Sequence, residues 1–296
     1  MRGHGCRLAA ALLLGWVHLA ADAADLPKLP PLTTVSGSPR LPGKFVWADL
    51  VTDNVPAAKK FYEGLFGWQF YDYGGYLIAH NADRPVAGLF QRPRPADRPE
   101  AKPRWFGYIS VSDVGRTLAK VEQGGGRVLA PAAKQPKRGE QAVLADPEGA
   151  VFGVIRSSSG DPEDFQAEPG DWMWIQLLSR NGEKAGEFYR SFAGYEIIPN
   201  EKAGRLSDFV LASEGYARAT IRTLPASRTD VPPGWLLFVR VDSVAASVAR
   251  AGELGGKVLL APRPDLLDGQ VAVLADPTGA AVGIMEWPQG LTKGGR

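Results

Sequence analysis

Cysteine is nearly missing from this chain: Cys6 is the single one in 296 residues. A disulfide within one chain is therefore excluded, and so is a CxxC redox pair. Histidine is scarce too, with only His4, His18 and His80, which leaves little for imidazole metal ligation or acid–base work. An excess of one charge is also missing. The net charge is +2, so no nucleic acid or other polyanion is implied as a partner. No P-loop, GxSxG or HExxH pattern occurs, and nucleotide, serine-hydrolase and zinc-protease chemistries find no support. What is present, 45% hydrophobic and 22% charged residues, is ordinary for globular protein and long enough for two cores.

The first residues read as an export signal. Arg2 and Arg7 precede or open an apolar run over residues 8–19, and Ala21-Asp22-Ala23 has the small-x-small pattern of a signal-peptidase site. The run falls short of the ~20 residues a membrane span needs. Cleavage after Ala23, or one residue later, is expected, with a periplasmic or secreted location and no membrane span. Processing would remove Cys6, His4 and His18, leaving no thiol nucleophile and His80 alone among the histidines. Residues 24–43 hold five prolines and little periodic apolar content, the composition of an extended tether.

Two stretches share one grammar. FVWADLVTDNVPAAKKFYEGLFGW at 45–68 returns as WMWIQLLSRNGEKAGEFYRSFAGY at 172–195, and one constant offset sets Trp47 on Trp174, Phe61-Tyr62 on Phe188-Tyr189 and Gly67 on Gly194. In each, an apolar strand runs into a polar cap, a short amphipathic helix and an aromatic-Gly-aromatic stop. The closing ends agree as AVLADPEGAVFGVI and AVLADPTGAAVGIM, and the middles as WFGYISVSDV and WLLFVRVDSV, which lead to Gly125-Gly126 and Gly255-Gly256. Such self-similarity marks a duplicated domain.

Within the first copy, alternation places Phe45, Trp47, Asp49 and Val51 on one face of a strand and Val46, Ala48 and Leu50 on the other. Asp53 or Asn54 can cap the next helix, Pro56 suits its first turn, and Gly67 can end it. Ala58, Phe61, Tyr62 and Leu65 form its apolar stripe. Strands are expected over 69–73, 76–80 and 86–91, giving one βαβββ module. Residues 106–155 repeat that order, with a strand over 106–112, a helix over 114–123, and strands near Arg127, Gln141 and Val151. Asp146-Pro147-Glu148-Gly149 and Asp276-Pro277-Thr278-Gly279 read as type I turns.

The AxxFYxxLFGW run, the strand exit followed by Gly-Gly, and the DPxG hairpin resemble the vicinal oxygen chelate superfamily. It includes glyoxalase I, bleomycin-resistance proteins and extradiol dioxygenases, and the narrower resemblance is to tandem glyoxalase-like proteins. That implies an α+β fold of four βαβββ modules, paired into two cup-shaped domains over 44–157 and 171–288, with a linker at 158–170 and a tail at 289–296. The family's metal ligands, His, Gln or Glu on first strands and Glu on the last, carry over to Trp47, Phe106 and Gly153, and to Trp174, Leu236 and Gly283. None of these side chains binds a metal ion, so no metal or other cofactor is expected.

Asp49 and Gln176 hold equivalent inward positions, either as polar contacts in a pocket or as strand-end groups bonded locally. Trp47, Phe106, Tyr108, Trp174 and Phe238 line the cups as pocket walls or as core. Arg240 shares a strand face with Leu236 and Phe238, where it either clamps an anion or lies exposed. His80 sits at a hairpin, a solvated residue or a lone general base. The Arg- and Pro-rich residues 92–104 read as a solvated crossover or as an anion-binding lip. Three functions stay open: a metal-free binder of a small, partly apolar or aromatic molecule; a glyoxalase-type lyase, isomerase or dioxygenase with an atypical metal site; or a structural protein whose cups are filled by its own side chains.

Overall fold

The computed structural model describes residues 29–35, 37–92, 102–200 and 207–287. The expected signal peptide, the C-terminal tail and most of the crossover at 92–104 lie outside the described residues.

The first half runs β1 (Phe45–Thr52), α1 (Val55–Phe66), β2 (Gln69–Asp72), β3 (Tyr76–Asn81), β4 (Arg84–Gln91), β5 (Arg104–Ser110), α2 (Val114–Gln123), β6 (Arg127–Gln135), β7 (Gly139–Ala145) and β8 (Val151–Ser157). The second repeats it as β9 (Trp172–Ser179), α3 (Gly182–Ala193), β10 (Glu196–Pro199), β11 (Phe209–Ser213), β12 (Tyr216–Thr223), β13 (Gly234–Arg240), α4 (Val244–Glu253), β14 (Lys257–Leu260), β15 (Val271–Ala275) and β16 (Ala281–Met285). Each half makes one eight-stranded sheet, ordered β2-β3-β4-β1-β5-β8-β7-β6 and β10-β11-β12-β9-β13-β16-β15-β14. The two modules of a half join where β1 pairs antiparallel with β5, and β9 with β13.

Local chemistry sets the elements. The Asn54 side chain accepts from the Ala57 N–H to open α1, and Gly67 closes it at φ 73° with its N–H bonded to the Glu63 carbonyl. That left-handed conformation suits glycine, which has no Cβ. Asn181 and Gly194 do the same for α3. In the DPxG hairpins the Gly149 and Gly279 N–H groups bond the carbonyls of Asp146 and Asp276, the bond that closes many type I turns.

Two details depart from simple alternation. A register shift between Phe45 and Trp47 turns Phe45 outward onto Trp235, with ring centroids 4.9 Å apart, while Val46 joins Trp47 on the cup side. A bulge rotates the strand locally, and it moves Phe45 off the face that strict alternation assigns it. The bounds of β5 also move: the strand expected over 106–112 runs Arg104–Ser110, so Arg104 opens it rather than ending a loop.

The sheets separate two kinds of interior. On the helix side one continuous cluster runs through both halves, from Leu50, Phe61 and Trp68 to Phe188, Tyr189 and Ile284. Helices α1 and α4 touch, as do α2 and α3. The Tyr62 hydroxyl donates to Asp276 Oδ2 at 3.1 Å and accepts from Trp105 Nε1 at 2.7 Å. Its counterpart Tyr189 donates to Asp146 Oδ2 at 3.1 Å and accepts from Trp235 Nε1 at 2.9 Å. Thus the tyrosine of each FY pair reaches the hairpin aspartate of the other domain. On the opposite faces lie two separate cup clusters.

Of the tether expected at 24–43, the described residues 29–35 and 37–43 are packed rather than free. Leu29 and Leu32 are buried in the first cup, and the Gly43 N–H bonds the Ser110 carbonyl. The linker is pinned likewise. Asp161 Oδ2 accepts from Ser110 and from the Leu41 N–H, both at 2.6 Å, and Asp164 pairs with Lys44 and Arg218. Among the described residues no helix is long and apolar enough to cross a membrane.

Candidate functional site

Cup 1 is built on one cross-strand row and one carboxylate. Trp47 on β1 faces Tyr108 on β5, which faces Gly153 on β8; one step along, Asp49 faces Phe106. Asp49, 3% exposed, receives three donors. The Tyr76 hydroxyl and Trp47 Nε1 reach Oδ1 at 2.5 and 2.8 Å, and the Tyr108 hydroxyl reaches Oδ2 at 2.9 Å. Trp47 Nε1 also lies 2.9 Å from the Tyr76 hydroxyl. Desolvation pushes the Asp49 carboxyl above the ordinary range; the hydrogen bond from Tyr76, the charge of Arg138 and the bonds from Tyr108 and Trp47 oppose it. Burial, with the Asp49 charge second, pushes the Tyr76 and Tyr108 phenols well above theirs, so both remain donors at neutral pH.

The β6–β7 turn brings Arg138 over this group. Its guanidinium lies 3.9 Å from the centroid of the Trp47 ring, a cation–π stack away from solvent. Leu29 and Leu32 complete the cover, packed with Val46, Tyr76, Ile78 and Phe106.

Cup 2 repeats the row with different chemistry: Trp174 faces Phe238, which faces Gly283, and Gln176 faces Leu236. Trp174 Nε1 donates to the Thr220 hydroxyl at 2.9 Å, and Gln176 Nε2 lies 3.4 Å from the same oxygen. Met173 and Trp174 are only half-buried, and Leu266 and Leu267 lie against the wall formed by Leu236, Phe238, Val271 and Met285. The two sequence-matched positions thus diverge into an ionisable cage in cup 1 and a neutral amide–hydroxyl pair in cup 2.

A divalent metal does not fit either row. At Gly153 an added Cβ would stand 2.2 Å from Tyr108 Cδ1, and at Gly283 the same distance from Phe238 Cδ1. The rings occupy the space from which the family's final glutamate would project. Trp47 offers only an N–H donor, and Phe106, Trp174 and Leu236 offer no oxygen or imidazole nitrogen. Asp49, the one carboxylate in the cup 1 cage, is already bonded by three donors and sits in the field of Arg138, which opposes a second cation. Among the described residues no three His, Cys, Asp or Glu side chains gather.

The other candidates separate from the cups. Arg240 turns to the linker: it bonds the Ala167 carbonyl, lies 3.5 Å from a Glu168 oxygen and stacks 5.3 Å from the Trp287 ring centroid. His80 rests against the Tyr71 ring, 4.8 Å between centroids, with its imidazole pushed below its ordinary value by burial. Sequence reasoning did not single out Tyr76, Arg138, Thr220, Leu29 or Leu32. One signal pointed toward Tyr76. Gly88 interrupts β4, where a Cβ would stand 1.8 Å from the Tyr76 hydroxyl and 2.3 Å from Asp49 Oδ1, and a strand glycine often marks such a close approach.

Comparison with known proteins agrees with this architecture. Residues 44–154 match the family model "Glyoxalase/Bleomycin resistance protein/Dioxygenase superfamily", and 174–285 match "Glyoxalase-like domain". A Mycobacterium tuberculosis protein named "Putative glyoxylase CFP32" is 32% identical over 247 residues, covering 81% of this chain and 93% of that protein. The "Anthracycline biosynthesis protein DnrV" of Streptomyces peucetius is 30% identical, covering 84% of this chain and 95% of that one. Among solved structures, the 2,3-dioxygenase LapB from Pseudomonas sp. KL28 superposes with TM-score 0.56 at 13% identity, over 84% of this chain and 93% of that one. The Mn(II)-bound glyoxalase from Novosphingobium aromaticivorans gives 0.54 at 16%, over 84% and 83%; both show a shared fold. With one matched domain in each half and relatives aligned across nearly their whole length, the chain belongs to the glyoxalase/bleomycin resistance/dioxygenase superfamily, as a tandem of two of its domains.

Proposed function

We propose that the chain is exported and that its second cup holds a small, partly apolar or aromatic molecule without a metal ion. The observation that carries this is the Trp174–Phe238–Gly283 row, where a ring stands in place of the family's metal donor. Met173 and Trp174 remain half-buried and so within reach of a ligand. Apolar walls with few polar groups are the usual composition of a small-molecule site, and Gln176 with Thr220 supplies the polar part. The naming of two relatives for anthracycline biosynthesis supports a planar aromatic ligand.

The test titrates the purified mature chain with quinizarin, a planar dihydroxyanthraquinone, in excess chelator after metal analysis. Binding without stoichiometric metal is expected, weakened about fivefold, or ~1 kcal/mol, by Trp174→Phe. Binding that requires added manganese or iron would overturn the metal-free reading and favour the second one, a glyoxalase-type lyase or isomerase, toward which the name of the mycobacterial relatives points. Export has its own check: N-terminal sequencing of protein from the native host should return Ala24 or its neighbour, and Met1 would refute it.

A further inference from the structure

Arg138 in cup 1 poses a problem that its neighbours do not solve. It is 1% exposed, yet among the described residues its Nε and Nη2 have no hydrogen-bond partner, while Nη1 donates to the Pro30 carbonyl at 3.3 Å. Burying a charged donor without acceptors costs stability, so a site that keeps one needs a compensating role. Nε and Nη2 lie on the same edge of the guanidinium. Together they offer two parallel N–H donors, the fork that a carboxylate fills with both oxygens.

The surroundings fit the rest of such a ligand. The guanidinium is stacked on Trp47, and Phe106, Tyr108 and Ile78 supply apolar wall. Asp49 is tied up by Trp47, Tyr76 and Tyr108, whose three donors offset its charge toward a second carboxylate. What fills the cup instead is the chain's own Leu29-Pro30-Pro31-Leu32, with both leucines buried and one carbonyl on the arginine.

We propose that cup 1 is a second ligand site, for a small aromatic or apolar carboxylate held bidentately by Arg138 Nε and Nη2, and that residues 29–32 are a displaceable occupant of it. The leucines stand in for the ligand's apolar body, while the Pro30 carbonyl takes Nη1 and leaves the Nε–Nη2 edge without an acceptor. A ligand that must expel this segment binds with its intrinsic affinity reduced by the fraction of molecules in which the cup is open.

The experiment uses the full mature chain with benzoate as probe and benzamide as its uncharged control. Calorimetry should show benzoate but not benzamide binding to the wild type, and binding roughly tenfold tighter in Leu29→Ser/Leu32→Ser, since the plug competes less. Arg138→Lys keeps the charge but loses the fork, and should weaken benzoate at least about tenfold. Hydrogen exchange gives a readout that needs no substitution: benzoate should speed exchange at residues 29–35 of the wild type and leave them unchanged in Arg138→Lys. Equal benzoate affinity in wild type and Arg138→Lys overturns the proposal. So does binding that leaves exchange at 29–35 unaltered, or no binding to either wild type or the leucine variant up to about 10 mM benzoate. Quinizarin titration of the same samples reports on cup 2 separately, so failure in one cup is distinguishable from failure in the other.

Discussion

Asp49 and Gln176 stand at matched positions, and the difference between them is one of charge in a place without water. A carboxyl raised above its free value of 3.8 holds its proton to higher pH in the folded state than in the unfolded one. Its contribution is therefore fully present below about pH 3.8 and is lost as pH rises through the folded value. Asp49→Asn removes that component. Stability of wild type minus variant, from urea midpoints over roughly pH 3 to 8, is expected to fall with rising pH. Parallel curves would show that Asp49 keeps an ordinary carboxyl. Asp146, also raised by burial, is present in both proteins and cancels from the difference.

Among the elements, α1 and α3 do more than cover their own sheets. Phe61 and Tyr62 read as a stripe facing a sheet, and both are buried. The hydroxyl, however, goes to a hairpin of the other domain. Tyr62→Phe leaves Asp276 Oδ2 and Trp105 Nε1 short of a partner in a dry place, and should cost ~1–3 kcal/mol by chemical denaturation. Tyr189→Phe should cost a similar amount through Asp146 and Trp235. A loss in either variant no larger than for an exposed tyrosine would mean that the pairing contributes nothing. The elements themselves were largely legible. The Asn caps, Gly67 and Gly194, the DPxG turns and the doubled pattern all act within a few residues, which is where sequence reasoning has physical purchase. The cup contents were less so. Trp47, Phe106, Tyr108, Trp174 and Phe238 follow from alternation on strands, whereas Arg138 reaches the cup from a hairpin turn and Leu29 from a proline-rich segment, and no periodicity places either. Arg240 shows the opposite failure: its strand position suggested the cup, but the linker carbonyl at Ala167 takes its guanidinium.

The whole molecule is two domains with one helix-side core. Leu50, Phe61, Phe188 and Val239 belong to the same buried cluster, and Gly256 accommodates Phe61 at a distance that a Cβ would reduce to 2.6 Å. Cutting the chain between the domains would open apolar surface along α1 and α2 on one side and α3 and α4 on the other. Residues 29–170 expressed alone are expected to self-associate or aggregate, and co-expression with residues 171–287 should restore a soluble 1:1 complex, read by size-exclusion chromatography with light scattering. A monomeric, cooperatively unfolding single domain would refute this.

The reciprocal tyrosine–aspartate pairs also impose an order in time. Tyr62 waits for Asp276, which lies 214 residues further along the chain. At a synthesis rate of ~5–20 residues per second that is a delay of roughly 10–40 s. Until that hairpin arrives, Tyr62 has no acceptor and α1 has no α4 to pack against. A chain that ends anywhere before the last hairpin thus lacks packing that belongs to its own first domain.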